Sequence, residues 1–350
     1  MADVTKSIGT SSRDYSTIQA FFDDIPADIS AATGTGERWI GECYNDSEFT
    51  AVAVEGGTTT DATNYIWLKP ASGEGFQDHV DVATNPLRYD QSKGVGIAVI
   101  AHYTTVLTMA SNYCRISGMQ VQNISWSNNA PSLASGSPSI FTAEDCILES
   151  PNAAGTNHLV FMYGTITMTN CYIYAGGISS SALRCYYGAA GSVFSGITIV
   201  RDSTRAAAGI AIINSGSNSS VIMRNVITCG FTSLFSTTVD FQTCLTDQGS
   251  PPTDWSTVTY ADTFETTTGV SRDFRLKSGS GAIDAGTTDA TYTPNDIFGA
   301  ARPSGSSYDV GAHEFVSAGG ASWSNVINSI ITYTQINGIA TSGITKVNNI

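Results

Sequence analysis

One short pattern recurs six times between Tyr113 and Asp247, and it constrains the fold more than any other feature of the chain. The copies read RISGMQV, TAEDCIL, TMTNCYI, VFSGITI, IMRNVIT and DFQTCLT. One apolar position aligns in all of them, at Met119, Cys146, Cys171, Ile197, Val226 and Cys244. Subtraction of neighbouring numbers gives steps of 27, 25, 26, 29 and 18 residues. A period of about 20–50 residues is typical of a solenoid, because each copy is too short to bury a core alone.

Each copy predicts two short strands joined by a one-residue corner. Apolar residues lie three positions before the aligned column, at Ile116, Ala143, Met168, Phe194, Met223 and Phe241. A further column lies two positions after it, at Val121, Leu148, Ile173, Ile199, Thr228 and Thr246. Even spacing keeps residues on one face of a strand, so the odd gap of three requires a bend.

The bend is predicted just before the aligned column, at Gly118, Asp145, Asn170, Gly196, Asn225 and Thr243. Gly, Asn and Asp tolerate the left-handed backbone that such a corner needs. Stacked about 4.8 Å apart, the copies form a right-handed parallel β-helix, an all-β solenoid. An antiparallel sandwich with coincidental alternation is the alternative.

Composition agrees with a solenoid and excludes two classes of partner. Charged residues make up 13% of the chain, which suits stacked polar ladders because repeated like charges would repel. The 16 basic and 30 acidic residues give a net charge of -14, which argues against nucleic acid or insertion at an anionic membrane. No apolar stretch is long enough to span a bilayer.

The first 36 residues predict an N-terminal cap with a short helix. Ile18, Phe21, Phe22 and Ile25 form one apolar helical stripe, which Pro26 ends. Ser16 and Gln19 match a capping box. Such a helix would cover the open end of the stack, and the β-helix itself is predicted over residues 37–316. With its DYSTIQA motif, this opening resembles the cap and first coil of pectin methylesterases.

The text from Arg272 to Phe315 resembles the closing segment of many secreted and phage-borne right-handed β-helix proteins. It carries an IDAG motif at 283–286, a DIFG motif at 296–299 followed by Arg302-Pro303, and DVGAHE at 309–314. We expect Arg302 to pair bidentately with a nearby carboxylate and to fix the last coil. A carboxylate site for metal binding or acid catalysis is the alternative interpretation of these motifs.

Residues 317–350 predict a C-terminal tail of different character. The tail is polar and has almost no charge, and apolar residues are distributed along it at Trp323, Val326, Ile327, Ile330, Ile331, Ile336, Ile339, Ile344 and Val347. The tail resembles short Ile-Asn-Gly tails of tailed-phage structural proteins. Two interpretations stay open: extra strands packed on the β-helix, or a docking peptide that anchors the chain to a partner.

The motifs of β-helix enzymes are not matched. Gln77-Asp78 is a lone QD pair in a loop, and Asp296 with its DIFG motif is expected far from the middle of the solenoid, so the catalytic pattern of pectin methylesterases is missing. The single DD pair, Asp23-Asp24, falls in the cap helix. None of the four His has a Ser or Cys nucleophile motif around it; they are His79, His102, His158 and His313.

Two surface groups remain as candidates. Glu144, Asp145 and Glu149 are the nearest carboxylate cluster, and we interpret them as solvated turn residues. Tyrosines cluster between coils, at Tyr163, Tyr172, Tyr174, Tyr186 and Tyr187. Tyr172 and Tyr174 would form a strip for stacking sugar rings if they faced outward, whereas ordinary packing between coils is the structural interpretation. We therefore assign no catalytic, cofactor-binding or metal-binding residue.

The resemblances and the missing motifs together predict a noncatalytic virion protein of a tailed bacteriophage. It would be displayed as a head decoration, spike or tail-associated protein, would contact capsid or tail proteins through its tail, and would form homo-oligomers that bind host-surface glycans. The start of the chain lacks the pattern of a signal peptide, so synthesis in the host cytoplasm is expected. The seven cysteines are expected to be reduced. The alternative is a polysaccharide depolymerase, either a lyase or a hydrolase.

Overall fold

The computed structural model describes residues 2–100, 105–124, 133–135, 140–151, 158–176, 181–186, 191–204, 209–214, 221–235, 240–251, 254–317, 335–336 and 339–340. They divide into two units, Met1–Phe315 and Val316–Ile350. In the second unit, two short strands pair in antiparallel fashion. The rest of the predicted tail lies outside the described residues. Among the described residues, the helices are too short or too polar to traverse a bilayer.

The strands follow in chain order. The first thirteen are β1 (Ala2–Ile8), β2 (Glu37–Cys43), β3 (Ala53–Glu55), β4 (Ile66–Pro70), β5 (Gly96–Val99), β6 (Leu107–Met109), β7 (Tyr113–Ser117), β8 (Gln120–Asn123), β9 (Leu133–Ser135), β10 (Ile140–Glu144), β11 (Ile147–Ser150), β12 (His158–Tyr163) and β13 (Thr165–Thr169). The others are β14 (Tyr172–Ala175), β15 (Ser181–Tyr186), β16 (Val193–Val200), β17 (Ile210–Asn214), β18 (Ile222–Cys229), β19 (Ser233–Phe235), β20 (Asp240–Gln242), β21 (Cys244–Thr246), β22 (Trp255–Thr257), β23 (Phe264–Thr266), β24 (Asp273–Leu276), β25 (Gln335–Ile336) and β26 (Ile339–Ala340). The helices are α1 (Ile18–Asp24), α2 (Tyr260–Thr263) and three 3-10 turns, at Phe76–Asp78, Val82–Thr84 and Gln91–Lys93.

Three parallel sheets form the walls of a β-helix, which confirms the predicted fold class. The first sheet runs β1-β2-β4-β7-β10-β13-β16-β18-β20, and the second runs β5-β8-β11-β14-β16-β18-β21-β22. The two sheets are continuous because β16 and β18 pass through the corner without a break. The third sheet runs β19-β17-β15-β12-β9-β6-β3. β1 lies in the segment predicted as a cap, yet it already pairs in parallel with β2.

The predicted columns stack in the lumen with the predicted register. Ile116 pairs with Ala143, and Ala143 with Met168, on successive strands of the first sheet. The aligned column is buried throughout, with at most 1% of any side chain exposed, at Met119, Cys146, Cys171, Ile197, Val226 and Cys244. All seven cysteines are buried, and each is a free thiol without a disulfide bond. Each large apolar side chain removed from water in this way stabilises the fold by about 1.5–3 kcal/mol.

The corner column adopts the predicted left-handed backbone at every one of its six positions. Their φ angles lie between 48° and 65°, at Gly118, Asp145, Asn170, Gly196, Asn225 and Thr243. Only Gly adopts this region without a steric cost, and Asn and Asp tolerate it better than most residues. A single left-handed residue therefore changes the chain direction at each corner. It also points the Asp and Asn side chains outward, between the first and second sheets.

Helix α1 covers the N-terminal end of the lumen, as the apolar stripe predicts. Phe21 is fully buried and lies 6.2 Å from Trp39, measured between ring centroids. Gly41 makes this possible, because a side chain there would collide with Phe21. The predicted capping box is wrong: Thr17 is the N-cap and accepts from Ala20 N at 3.1 Å. Gln19 instead accepts from Val54 N at 2.8 Å.

The closing segment, Arg272–Phe315, packs along the side of the coils instead of lying only at their end. Together with β23 it covers the outer face of the second sheet and forms a second apolar cluster, which we call the outer core. The outer core includes Phe76, Leu87, Ile147, Tyr172, Tyr174, Val200, Ile227, Cys229, Leu245, Phe264, Phe274, Leu276, Ile297 and Val310. Gly311 permits the close approach, because a side chain at its position would collide with Thr198 and Ile227 of the sheet.

Candidate functional site

Two adjoining cavities form a cleft outside the corner between the first and second sheets, which we call the corner cleft. They measure about 300 Å³ and about 290 Å³, and both are lined by Gln77, Glu144 and Asp145. The loop after β4 walls the first cavity, and the closing segment walls the second. The corner cleft therefore lies where three distant parts of the chain meet in the middle of the solenoid.

Asp145 lies on the floor of the cleft because it occupies the corner column. Its left-handed backbone, with φ of 53°, aims the side chain out of the coil. Asn170, one coil further on, donates from Nδ2 to Oδ1 of Asp145 at 3.1 Å, and Gln77 also hydrogen-bonds the carboxyl. Removal from water raises the pKa of Asp145 to about 7, and the negative charges of Glu144 and Asp296 add to the rise. The two amides oppose it because they favour the ionised form.

Glu144 lies beside Asp145 but faces more open surroundings. It is the last residue of β10 and forms an ion pair with Arg115 of the neighbouring strand β7. About 28% of the Glu144 side chain is exposed. The Arg115 guanidinium lies 4.5 Å from the centroid of the Trp67 ring. Two adjacent carboxyl groups thus differ in environment, one shielded and held by amides and the other accessible and paired with a cation.

The strands around the cleft carry a half-buried aromatic strip on the outer face of the first sheet. Over β2, β4, β7, β10 and β13 this surface carries polar and aromatic side chains, and we call it the open face. Trp67 points outward from β4, and Tyr65 points outward from the position just before it. Tyr113 points outward from β7. Trp67 donates from Nε1 to Ser117 Oγ at 2.8 Å. The open face therefore carries an aromatic strip on residues that the sequence did not single out for this role.

Tyr172 and Tyr174, which the sequence suggested as sugar-stacking residues, do not reach solvent. Tyr172 is completely buried and Tyr174 is 2% exposed. Both pack on Phe274 of the closing segment, with ring centroids 5.5 Å and 5.7 Å away. The structural interpretation of these two tyrosines is correct. Tyr163 lies on the third sheet against Phe161; Tyr187 and the Tyr186 side chain lie outside the described residues.

The sequence prediction that separated the QD and DIFG motifs is wrong. Gln77 donates from Nε2 to Ile297 O at 2.7 Å, across 220 residues of sequence. Asn170 donates from Nδ2 to Asn295 O at 2.8 Å, which fixes the same segment at mid-solenoid. The closing segment returns along the coils, and its DIFG motif therefore lies beside Gln77 and Asp145. No local signal in the sequence shows this long-range return.

The interpretation of the acidic cluster as solvated turn residues is wrong for Glu149. Asp145 is half-buried, and Glu149 is completely buried. Glu149 forms an ion pair with Arg272 of the closing segment and accepts from Tyr89 N at 3.0 Å. Glu149 therefore joins the loop between β4 and β5, the second sheet and the closing segment. Glu144 and Asp145 both keep part of their surface exposed to solvent.

The acidic motifs of the closing segment are structural. Asp296 accepts backbone N–H groups from Phe298, Ala300 and Glu314, at 2.8–2.9 Å. Arg302 is not bidentate to a carboxylate as we expected. It donates instead to the carbonyl oxygens of Asp309 at 2.9 Å and Gly311 at 2.7 Å, and its Nη1 lies 3.4 Å from Glu314.

His158 has a Ser neighbour that the sequence did not reveal. Its Nδ1 contacts Ser181 Oγ, and Arg184 Nη1 donates to its Nε2 at 2.7 Å. Because arginine is only a donor, Nε2 must accept, and Nδ1–H therefore donates to Ser181. The ring cannot take a proton from this Ser in that arrangement. Burial lowers the pKa of His158 to about 4, which keeps the ring neutral.

The other candidate groups form no catalytic cluster. His313 is held by Leu276 N, His79 lies near Asp81, and His102 lies outside the described residues. Asp24 of the DD pair contacts Tyr15 in the cap. Within the ranges that the structure describes, no three His, Cys, Asp or Glu side chains converge as a metal site.

Comparison with known proteins returns a structural similarity alone. No family model matches the chain, and no curated protein matches it. Among solved structures it is similar to the crystal structure of pectate lyase Pel9A. The TM-score is 0.33 at 14% sequence identity, over 89% of this chain and 97% of that chain. What that enzyme acts on is not carried over to this chain.

The prediction that this chain is not an enzyme is corrected here. The prediction rested on the unmatched enzyme motifs and on the interpretation of Glu144, Asp145 and Glu149 as solvated turn residues. The fold instead brings Gln77, from the loop after β4, to the neighbouring carboxyl groups Glu144 and Asp145 in one cleft.

Proposed function

We propose that this chain hydrolyses glycosidic bonds of a polysaccharide in the corner cleft. The observation that carries the proposal is the pair of carboxyl groups, Asp145 and Glu144, where the two cavities join. Glycoside hydrolysis usually requires one carboxyl as a proton donor and a second as a carboxylate, and their environments must differ to separate these roles.

The two residues have distinct roles in this mechanism. Asp145 is the general acid, since its pKa of about 7 leaves it partly protonated near neutral pH. It gives its proton to the leaving oxygen as the bond from that oxygen to the anomeric carbon breaks. Glu144 is the base: it takes a proton from water as the water oxygen bonds to the anomeric carbon. Gln77 and Asn170 position the Asp145 carboxyl.

Replacement of the acid tests the proposal directly. We expect Asp145→Asn to reduce cleavage by about 100-fold or more, because an amide cannot supply the proton. The assay incubates the full-length protein with purified bacterial capsular polysaccharides and follows chain length by size-exclusion chromatography. Asp247→Asn is the matched control: burial raises the pKa of Asp247 too, but it is not among the residues lining the cleft. Undiminished cleavage by the Asp145 variant, or no shortening of any capsular polysaccharide by the wild type, contradicts the proposal.

The acid also sets the pH dependence of the reaction. Because Asp145 must carry its proton and its pKa is about 7, we expect cleavage by the wild type to fall as the pH rises through about 7. Initial rates measured between pH 5 and pH 9 check this, with substrate below saturation so that the profile reports the free enzyme. A rate that is constant across pH 7 would exclude Asp145 as the acid.

We propose that the protein carries out this activity on a tailed-phage particle. The resemblances of Arg272–Phe315 and of the tail support a β-helix displayed on a tailed-phage particle, as a homo-oligomer anchored through residues 317–350 to capsid or tail proteins. Deletion of residues 323–350 is expected to abolish incorporation into particles while cleavage by the purified protein persists. Unchanged incorporation, measured by immunoblotting of purified particles, would contradict the anchoring role.

A further inference from the structure

A third cavity lies on the open face beside the corner cleft. It measures about 280 Å³, and its lining residues include Tyr65, Tyr113, Ile140 and Arg115. Arg115 also lines the corner cleft, so the third cavity and the cleft share this side chain as a wall. Tyr113 and Ile140 lie opposite each other on paired strands, and 43% of Ile140 is exposed. The strip thus offers an aromatic and apolar platform, open to solvent. It lies about 13 Å from Glu144 along strand β10, because Ile140 precedes Glu144 by four residues at about 3.3 Å each.

The cations of the open face are already paired. Three are present among its described residues, Arg38, Lys69 and Arg115. Arg38 pairs with Asp3, and Arg115 pairs with Glu144. Lys69 Nζ lies 2.9 Å from Oε1 of Glu42. A sugar carboxylate would have to displace one of these partners to gain a cation, so the face offers little to a polyanion.

The charge of the adjoining cleft points the same way. Its lining includes four acidic side chains, Asp78, Glu144, Asp145 and Asp296, against two cations, Lys69 and Arg115. The whole chain carries a net charge of -14. A polymer of uronic acids would therefore be repelled along its path, whereas hydroxyl groups can donate to the same carboxylates.

We infer that the Tyr65–Tyr113–Ile140 strip binds uncharged sugar rings of the polysaccharide that enters the corner cleft. This inference rests on the proposed function and adds its substrate class. The apolar C–H face of a neutral sugar ring packs on the tyrosine rings, and its hydroxyl groups reach Arg115 and Thr142 at the edge of the same cavity. The strip then holds the polysaccharide along strand β10, several sugar rings from the bond that lies at the carboxyl pair.

The test separates binding from cleavage. Full-length Asp145→Asn protein is applied to an array of neutral oligosaccharides and matched oligosaccharides that contain uronic acid, alongside Asp145→Asn/Tyr113→Ala and Asp145→Asn/Tyr113→Phe. We expect binding to neutral glycans that weakens about tenfold in the Tyr113→Ala variant and is unchanged in the Tyr113→Phe variant, which keeps the ring. Equal melting temperatures of the three proteins show that the fold is retained.

A gain of function completes the test. Ile140→Arg places an unpaired cation on the strip, and we expect it to add binding of the uronic-acid glycans. A parent that prefers uronic acids, neutral binding that ignores Tyr113→Ala, or no binding of any neutral glycan would each overturn the inference. Neutral glycan binding through Tyr113 without cleavage by the wild type would contradict the proposed function alone. Cleavage that is indifferent to Tyr113 would contradict the strip alone.

Discussion

The outer faces of the first and second sheets differ although the two sheets share a lumen and are continuous through the corner. On the second sheet, outward residues such as Ile147, Tyr172 and Ile227 are apolar and lie beneath the closing segment. On the open face of the first sheet, outward residues such as Arg115, Thr142 and Glu144 are polar and partly exposed. A parallel strand that is apolar on both sides is a strand covered on both sides. The covered face contributes stability, and the open face keeps its polar side chains in contact with solvent.

The largest expected effect lies on the covered face. Phe274→Ala removes the ring that packs on Tyr172, Tyr174 and Phe264, and we expect a loss of about 3–5 kcal/mol in the free energy of unfolding. Trp67→Ala on the open face removes a larger but half-exposed ring and should cost clearly less. Urea unfolding followed by circular dichroism measures both variants. Equal losses would erase the distinction between the two faces.

A second test compares the same kind of ion pair on the two faces. Arg272→Met leaves the buried Glu149 without its cation, and a loss of about 3–5 kcal/mol in unfolding free energy is expected. Arg115→Met breaks the exposed pair with Glu144 and should cost about 0–1 kcal/mol. Arg272→Met combined with Glu149→Gln should recover much of the loss, because no buried charge is then left alone. If the double variant is no better than the single, the cost does not come from an unpaired charge.

A third test concerns the cleft where the two faces meet. The pKa of Asp145 is raised from 3.8 to about 7 by folding, so the folded state binds more protons than the unfolded state between these values. Stability from this group is therefore lost as the pH rises through that window. We expect Asp145→Asn to gain stability relative to the wild type between about pH 4 and pH 7, with no further change above. Urea unfolding of both proteins at several pH values checks this, and a difference independent of pH would contradict it.

The lumen could be predicted because stacking requires the same pattern of residues within every copy. Each coil must supply an inward residue, a corner and a second inward residue, so the columns from Ile116 to Phe241 could be aligned from the sequence alone. The corner was predicted down to single residues, because left-handed backbone restricts residue type at Asp145 and Asn170 as strongly as at Gly118.

The outer core and the cleft could not be predicted because both depend on contacts between distant segments. Gln77 and Ile297 meet across 220 residues, and no periodicity records such a contact. A usable signal was nevertheless present: Tyr172, Val200 and Ile227 are outward positions with apolar side chains. Their character indicates a second covering layer, but it does not identify the segment that supplies this layer.

The return of the closing segment also determines when the protein can finish folding. Each coil can wind onto its predecessor as it leaves the ribosome, since its strands pair with a neighbour already made. The flank that holds Tyr172 stays bare until Phe274 has been synthesised. Leu87 is synthesised early, but its backbone N–H donates to the carboxylate of Asp273, which follows 186 residues later. This hydrogen bond therefore forms only after the closing segment has been made. A chain cut short after the last coil would keep a wound solenoid but would present a long apolar flank to its neighbours.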